Sequence, residues 1–198
     1  MNKTTCTWIS LSLLCAGIAG AGDLVDKKTN NGSFEQGAHG WMVHAFGNYD
    51  VEHGVIEADQ DSPAPEGKSY LKVSASSGSE ADLAIRATMS LEKESFKKDR
   101  KVIVSAMVRT RSLEEFSRAY IILVFYDKDP SERPVVLRSK VITFKNTDWM
   151  ELTHEFTVEE SVTAEPFQVR VCMRTTGKSE NGMQAEGYID NVNVTVGK

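Results

Sequence analysis

Three arginines stand where a strand would turn them away from a core. In Val102–Arg109 the residues Val102, Val104, Ala106 and Val108 share one face and leave Ser105, Met107 and Arg109 on the other. In Phe167–Arg174 the residues Phe167, Val169, Val171 and Met173 alternate with Gln168, Arg170, Cys172 and Arg174, the pattern of a half-buried antiparallel strand. A guanidinium is a planar fork that pairs two N–H donors with the oxygens of a carboxylate or sulfate. Tyr120 and Tyr126, on the run between, would add aromatic rings. These residues predict oxyanion recognition on one concave sheet that holds both runs. The competing account has the same arginines facing solvent and neutralised across the strands by Glu151 or Glu155.

Reaction chemistry is not legible beside them. Gly78-Ser79-Glu80 lacks the Gly-x-Ser-x-Gly elbow that exposes a serine nucleophile, and Ser112 and Ser117 read as capping or loop residues. A glycosidase needs two carboxylates facing each other, and a chain with 28 acidic residues does not reveal such a pair by spacing. Glu159-Glu160 reads as a solvated strand end. His39, His44 and His53 lie close in sequence, yet their spacing repeats no usual zinc pattern and Cys172 is remote. His154 falls in phase with Leu152 and Phe156, as a partly buried, satisfied histidine would.

The elements that must position these groups are strands. Candidates are Trp41–Phe46, Tyr49–Ala58, Tyr70–Ala75, Leu83–Met89, Val102–Arg109, Ala119–Tyr126, Val135–Phe144, Met150–Val158, Phe167–Arg174 and Gly187–Val196. Turn chemistry separates them at Asn30-Asn-Gly32, Pro63-Ala-Pro65-Glu-Gly67, Asp127-Lys-Asp-Pro130 and Thr176-Gly-Lys-Ser179. Ile189 with Val192, Val194 and Val196 alternates imperfectly. Helix signals are confined to a capping box at Ser112–Glu115 and a helix-forming composition at Leu91–Lys98, a turn or two at most. About ten strands without a linker, repeat or second domain predict an all-β fold, a two-sheet antiparallel sandwich or jelly roll.

Composition bounds the partners. Of 198 residues 26% are charged, with 23 Lys and Arg against 28 Asp and Glu, a net charge of -5 and no polybasic run, which argues against nucleic acid. Lys3, the short apolar segment Trp8–Ile18 and the small residues Ala19-Gly-Ala21 read as a signal peptide over residues 1–21. Cleavage after Ala21 leaves a single domain over residues 22–198, with no transmembrane segment and a secreted or periplasmic address. Cys15 follows Ser12, Leu13 and Leu14, lacking the small residue that lipid attachment wants directly before it. Cys6 and Cys15 leave with the leader, so Cys172 has no partner for an intramolecular disulfide. A domain of this size can bury enough surface without one.

Both ends of the mature chain carry motifs. Asn31-Gly-Ser-Phe-Glu35 followed by Gly40-Trp41, then Glu66-Gly-Lys-Ser-Tyr-Leu-Lys-Val73, Asp148-Trp149 leading to Phe156-Thr157, and Gly187-Tyr-Ile-Asp-Asn-Val-Asn-Val194 occur in that order. Together they resemble the β-jelly-roll carbohydrate-binding modules of the galactose-binding-like superfamily. The resemblance implies non-catalytic binding of a polysaccharide or oligosaccharide, as in modules found beside glycoside hydrolases, although here a single domain standing alone is expected. With the arginines above, the expected ligand is an anionic glycan held by Arg109, Arg170 and Arg174 with Tyr120 or Tyr126 stacking on a sugar ring. The resemblance also implies a structural calcium held by Glu35 and Asp190 and by backbone carbonyls near Lys68. A hard cation of that kind takes six to eight oxygens and would pin the first strand to the last. Phe34 and Trp41 read as core anchors rather than a ligand platform. The alternative function is a cell-envelope structural or protein-interaction module that keeps the jelly roll without sugar binding.

Overall fold

The computed structural model describes residues 22–23, 31–46, 50–60, 62–77, 80–91, 94–111, 117–127, 129, 131–144, 148–164, 167–178 and 183–197. The leader expected over 1–21 and the capping box at Ser112–Glu115 lie outside these residues. In chain order the strands are β1 (Gly22–Asp23), β2 (Glu35–Ala38), β3 (Trp41–Phe46), β4 (Asp50–Glu57), β5 (Ser69–Ser77), β6 (Glu80–Leu91), β7 (Glu94–Phe96) and β8 (Lys101–Arg111). They continue with β9 (Ser117–Phe125), β10 (Val135–Arg138), β11 (Ile142–Phe144), β12 (Met150–Thr157), β13 (Val162–Ala164), β14 (Phe167–Lys178) and β15 (Met183–Val196). Among the described residues there is no helix.

Two antiparallel sheets face each other, as the alternation predicts. The first runs β12-β8-β15-β5-β4 with β1 on β15, and the second runs β10-β9-β14-β6-β3 with β11 on β9. Successive long strands cross between them: β5 to β6, β8 to β9, β14 to β15. The in-phase residues Val102, Val104, Ala106 and Val108 of β8 meet Val169, Val171 and Met173 of β14 and Ile121 and Leu123 of β9 in one buried core. Phe96, Phe125 and Phe167 close one end of it, with ring centroids 5.1–5.2 Å apart.

Two local features differ from the sequence expectation, and the bulge in the last strand explains a third. The described residues of Leu91–Lys98 form no helical turn: Glu94–Phe96 pairs with Val162–Ala164 as a separate two-stranded ribbon, because Phe96 is drawn into the core. The run Val135–Phe144 breaks in two at Ser139, whose N–H donates to the Ile121 carbonyl (2.9 Å) and whose Oγ accepts the Ile121 N–H (2.9 Å). The imperfect alternation of the last strand is a β-bulge between Asp190 and Asn193. Ile189 points inward before it and Val192 after it, so the extra residue shifts the phase by one.

The opening motif is a tied turn. Asn31 Nδ2 donates to the carbonyls of Gly37 (2.7 Å) and His39 (3.1 Å), its Oδ1 accepts the Gln36 N–H (2.9 Å), and its carbonyl accepts the Trp41 indole N–H (2.9 Å). Gly37 and Gly40 take φ of 66° and 79°, a backbone conformation that glycine adopts without steric cost. Phe34 is fully buried and packs against Trp41 with tilted rings 5.1 Å apart, in line with their reading as core anchors.

Candidate functional site

The outer face of the second sheet carries a cleft of about 790 Å³. Its lining follows from strand register. Arg118 of β9 lies opposite Arg174 of β14, which lies opposite Ala84 of β6 and, beyond it, Phe46 of β3. The next row holds Tyr120, Cys172, Arg86 and His44, and the row after it Arg138 of β10, Ile122, Arg170 and Thr88. Alternate residues of a strand share one face, so this grid places Arg86, Arg118, Arg138, Arg170 and Arg174 around one opening. Phe46 stands at one side and Val136 and Val141 at the other. Among the described residues that line it there is no Asp or Glu.

The guanidinium groups of Arg86, Arg138 and Arg170 are held by their neighbours. Arg86 lies over the Phe46 ring at 5.2 Å and Arg138 over the Tyr120 ring at 4.9 Å. Arg170 donates to the Tyr126 hydroxyl (2.6 Å) and through Nε and Nη2 to Gln168 Oε1 (3.2 and 2.9 Å). Beneath them Ile122, Val124 and Cys172 form a small apolar floor, with Tyr120 and Tyr126 packed against it. Burial lifts the Cys172 thiol above its usual range, against the opposing pull of Tyr120, Arg86, Arg138 and Arg170, so it stays a neutral floor residue. Burial likewise raises the Tyr120 hydroxyl, with Cys172 adding to the rise.

Of the ligand residues expected from sequence, Arg170, Arg174 and Tyr120 come together in this cleft, and Tyr126 bonds Arg170 beside it. Arg109 does not join them. It sits on β8 in the opposite sheet, because strand phase reports which face a residue takes and not which sheet its strand joins. Ser105 and Met107 share its strand, so the expected sheet of Val102–Arg109 with Phe167–Arg174 does not form. Arg109 is 5% exposed. Its guanidinium lies 4.4 Å from the Tyr188 ring, 4.8 Å from Trp149 and 5.6 Å from Tyr70, and donates to Ser62 Oγ at 2.5 Å. Glu151 and Glu155 lie on β12 in that same first sheet, and Glu155 pairs with Lys101 at 2.7 Å. They therefore do not neutralise Arg170 or Arg174 across a strand. Arg86, Arg118, Arg138 and Phe46 were not singled out from sequence, although Arg86 falls out of phase with Leu83, Ile85, Ala87 and Met89 and was legible on that ground.

A second arrangement joins the two ends of the domain. Glu35 Oε1 accepts the backbone N–H groups of Lys68 (2.7 Å) and Ser69 (2.8 Å). Asp190 is fully buried at the bulge, and its Oδ2 accepts the Glu66 N–H at 3.3 Å. Desolvation by burial pushes its carboxyl up to about 7, with the charges of Glu66 and Glu35 adding to the rise. Asp190 Oδ1 and Asn191 Oδ1 are buried acceptors without a hydrogen-bond partner. Among the described residues no three His, Cys, Asp or Glu side chains form a ready-made ligand cluster. His44 and His53 lie on different sheets.

No family model and no curated protein sequence matches the chain. Solved structures do. The chain is similar to a carbohydrate-binding module described for the promiscuous specificity of the β-sandwich superfamily, at a TM-score of 0.55 and 16% identity over 82% of this chain and 60% of that one. It is similar to a xylan-binding domain from Paenibacillus barcinonensis, at 0.52 and 17% over 84% and 92%. It is also similar to the N-terminal modules of a Clostridium thermocellum endo-1,4-β-D-xylanase complexed with xylohexaose, at 0.54 and 14% over 87% and 28%. The chain thus spans less than two thirds of the first and third of these chains. At these identities the likeness establishes the fold, the β-sandwich of carbohydrate-binding modules.

Proposed function

We propose that this chain binds carbohydrate without transforming it, that the sugar lies in the arginine cleft of the second sheet, and that it carries acidic groups. The observation that carries the reading is the lining of that cleft, five arginines with no carboxylate among the described lining residues. Guanidinium forks pair with sulfate or carboxylate oxygens. Glycoside hydrolysis would need paired carboxylates at the same place. The first two neighbours named above are described as carbohydrate-binding and xylan-binding on the same architecture. The proposal includes export through the leader at 1–21, which would bring the cleft to extracellular or periplasmic glycans. No helix among the described residues is long and apolar enough to cross a membrane.

A structural calcium belongs to the same proposal. The residues fit a hard cation: Asp190 Oδ1 and Asn191 Oδ1 lack partners, Asp190 feels the charges of Glu66 and Glu35, and the donors are oxygen throughout. Asp190 and Glu35 would hold the ion with carbonyls of the turn at Lys68, neutralising a buried carboxylate and joining β2 to β15.

Affinity electrophoresis in gels cast with acidic or neutral polysaccharides tests the function. The parent should be retarded by acidic polymers, and Arg170→Ala should lose most of that retardation. Unaltered mobility in every gel would favour the cell-envelope interaction module over sugar binding.

A further inference from the structure

Resting on that reading, we infer that the aromatic residues of the cleft are supports for its arginines rather than platforms for sugar rings, so that the ligand is a polyanionic glycan recognised through its charges and neutral glycans are excluded. A sugar platform needs an open aromatic face onto which the apolar side of a ring can settle. Tyr120 has a guanidinium, that of Arg138, over its ring at 4.9 Å, and Phe46 has that of Arg86 at 5.2 Å. Tyr126 spends its hydroxyl on Arg170. Tyr120, Phe46 and Tyr126 therefore each hold one arginine of this face, Phe46 while half-exposed. Fixing them lowers the ordering cost of an ionic contact, because a guanidinium already stacked or bonded loses little further freedom when an anion arrives.

Register sets the spacing of the charges. Arg118 and Arg174 face each other at one end, and Arg170 with Arg138 lies four residues further along the strands, a run of roughly 13 Å at about 3.3 Å per residue. Arg86 stands between them on β6. Two clusters at that separation reward a ligand with acidic groups recurring along a chain, each bound in turn, over one with a single charge. Between the clusters lies the row of Tyr120, Cys172 and Arg86, over the small apolar floor that Cys172 shares with Ile122.

The test is calorimetry of the full chain with a sulfated polysaccharide, a polyuronate, neutral xylan and a single-stranded oligonucleotide, followed by a double-mutant cycle on Tyr120 and Arg138 with the tightest acidic glycan. We expect both acidic polymers to bind and xylan not to. Arg138→Ala should weaken binding roughly tenfold, Tyr120→Ala by several fold, and the double variant no more than Arg138→Ala alone, since Tyr120 acts through Arg138. Binding of xylan with multiplicative losses in the cycle would overturn the inference and leave carbohydrate binding standing. Absence of binding to any glycan would overturn the proposed function itself. Tighter binding of the oligonucleotide than of either acidic glycan would assign the cleft to a different polyanion. Should Tyr120→Ala fail to fold, Phe46→Leu with Arg86→Ala gives the same cycle on the opposite wall.

Discussion

Arg109 and Arg170 share a residue type and a strand phase, and their surroundings give them opposite tasks. Arg170 lies at the cleft with its guanidinium aimed by Tyr126 and Gln168, whereas Arg109 is enclosed by three aromatic rings in the other sheet. Arg109→Ala should therefore lower the stability of the fold by about 2–3 kcal/mol, from lost cation–π contact and packing, while affinity for an acidic glycan stays within error. Paired denaturant and binding measurements on the one variant check both halves. Glu186 offers a pH signature beside it. Burial alone would raise its carboxyl, but the bonds from Lys72 (2.5 Å) and Tyr188 and the Lys72 charge outweigh this and hold it below the usual glutamate range. A depressed carboxyl contributes stability above its unfolded pKa that is lost as pH falls through its folded value. Glu186→Gln should remove part of the acid-limb loss of stability and leave the neutral plateau lower. The buried Cys172 thiol should resist alkylation in the native chain and react on unfolding, which mass measurement after a thiol reagent reads directly.

At the scale of elements, sequence showed which residues face the core more faithfully than which strands become neighbours. The alternations at Val102–Val108 and Phe167–Met173 hold residue for residue, because the side-chain period of a strand is a local property. Sheet membership is settled by crossovers whose partners lie far apart in the chain, and this is why Arg109 and Arg170 looked like companions and are not. The bulge that buries Asp190 was visible only as a missed beat between Ile189 and Val192, and the break at Ser139 only as the polar triplet Arg138-Ser139-Lys140 inside an apolar run. Arg118 and Arg138 gain their place from pairing to β14 and β9 respectively, which no local pattern announces. The Ser139 break makes its own prediction. Ser139→Ala would leave the buried Ile121 N–H without its acceptor, at a cost of roughly 1–3 kcal/mol, detectable as a lower denaturation midpoint at unchanged slope.

For the molecule as a whole, the distribution of charge says more than its sum. A chain of net charge -5 gathers five arginines on one face, and a cleft lined by one sign focuses the field toward a ligand of the other. On the opposite flank the buried Asp190 ties the end of the fold to its start through Glu66, while Glu35 ties the same turn to β2. If calcium completes that junction, a hundredfold excess over its Kd raises stability by about 2.7 kcal/mol. Thermal melts with calcium and with chelator should then differ for the parent and coincide for Asp190→Ala; coincident melts in the parent would remove the ion from the account. Binding of an acidic glycan in the arginine cleft through charge is what distinguishes the proposed function from every alternative. Titration of the parent chain with such a glycan across ionic strengths from about 0.01 M to 1 M, over which the screening length falls from roughly 30 Å to 3 Å, tests it most directly. The expected result is saturable binding that weakens steeply with salt and is lost when Arg138 and Arg170 are both replaced by Gln. Binding that ignores salt, or that survives the double replacement unchanged, would contradict it.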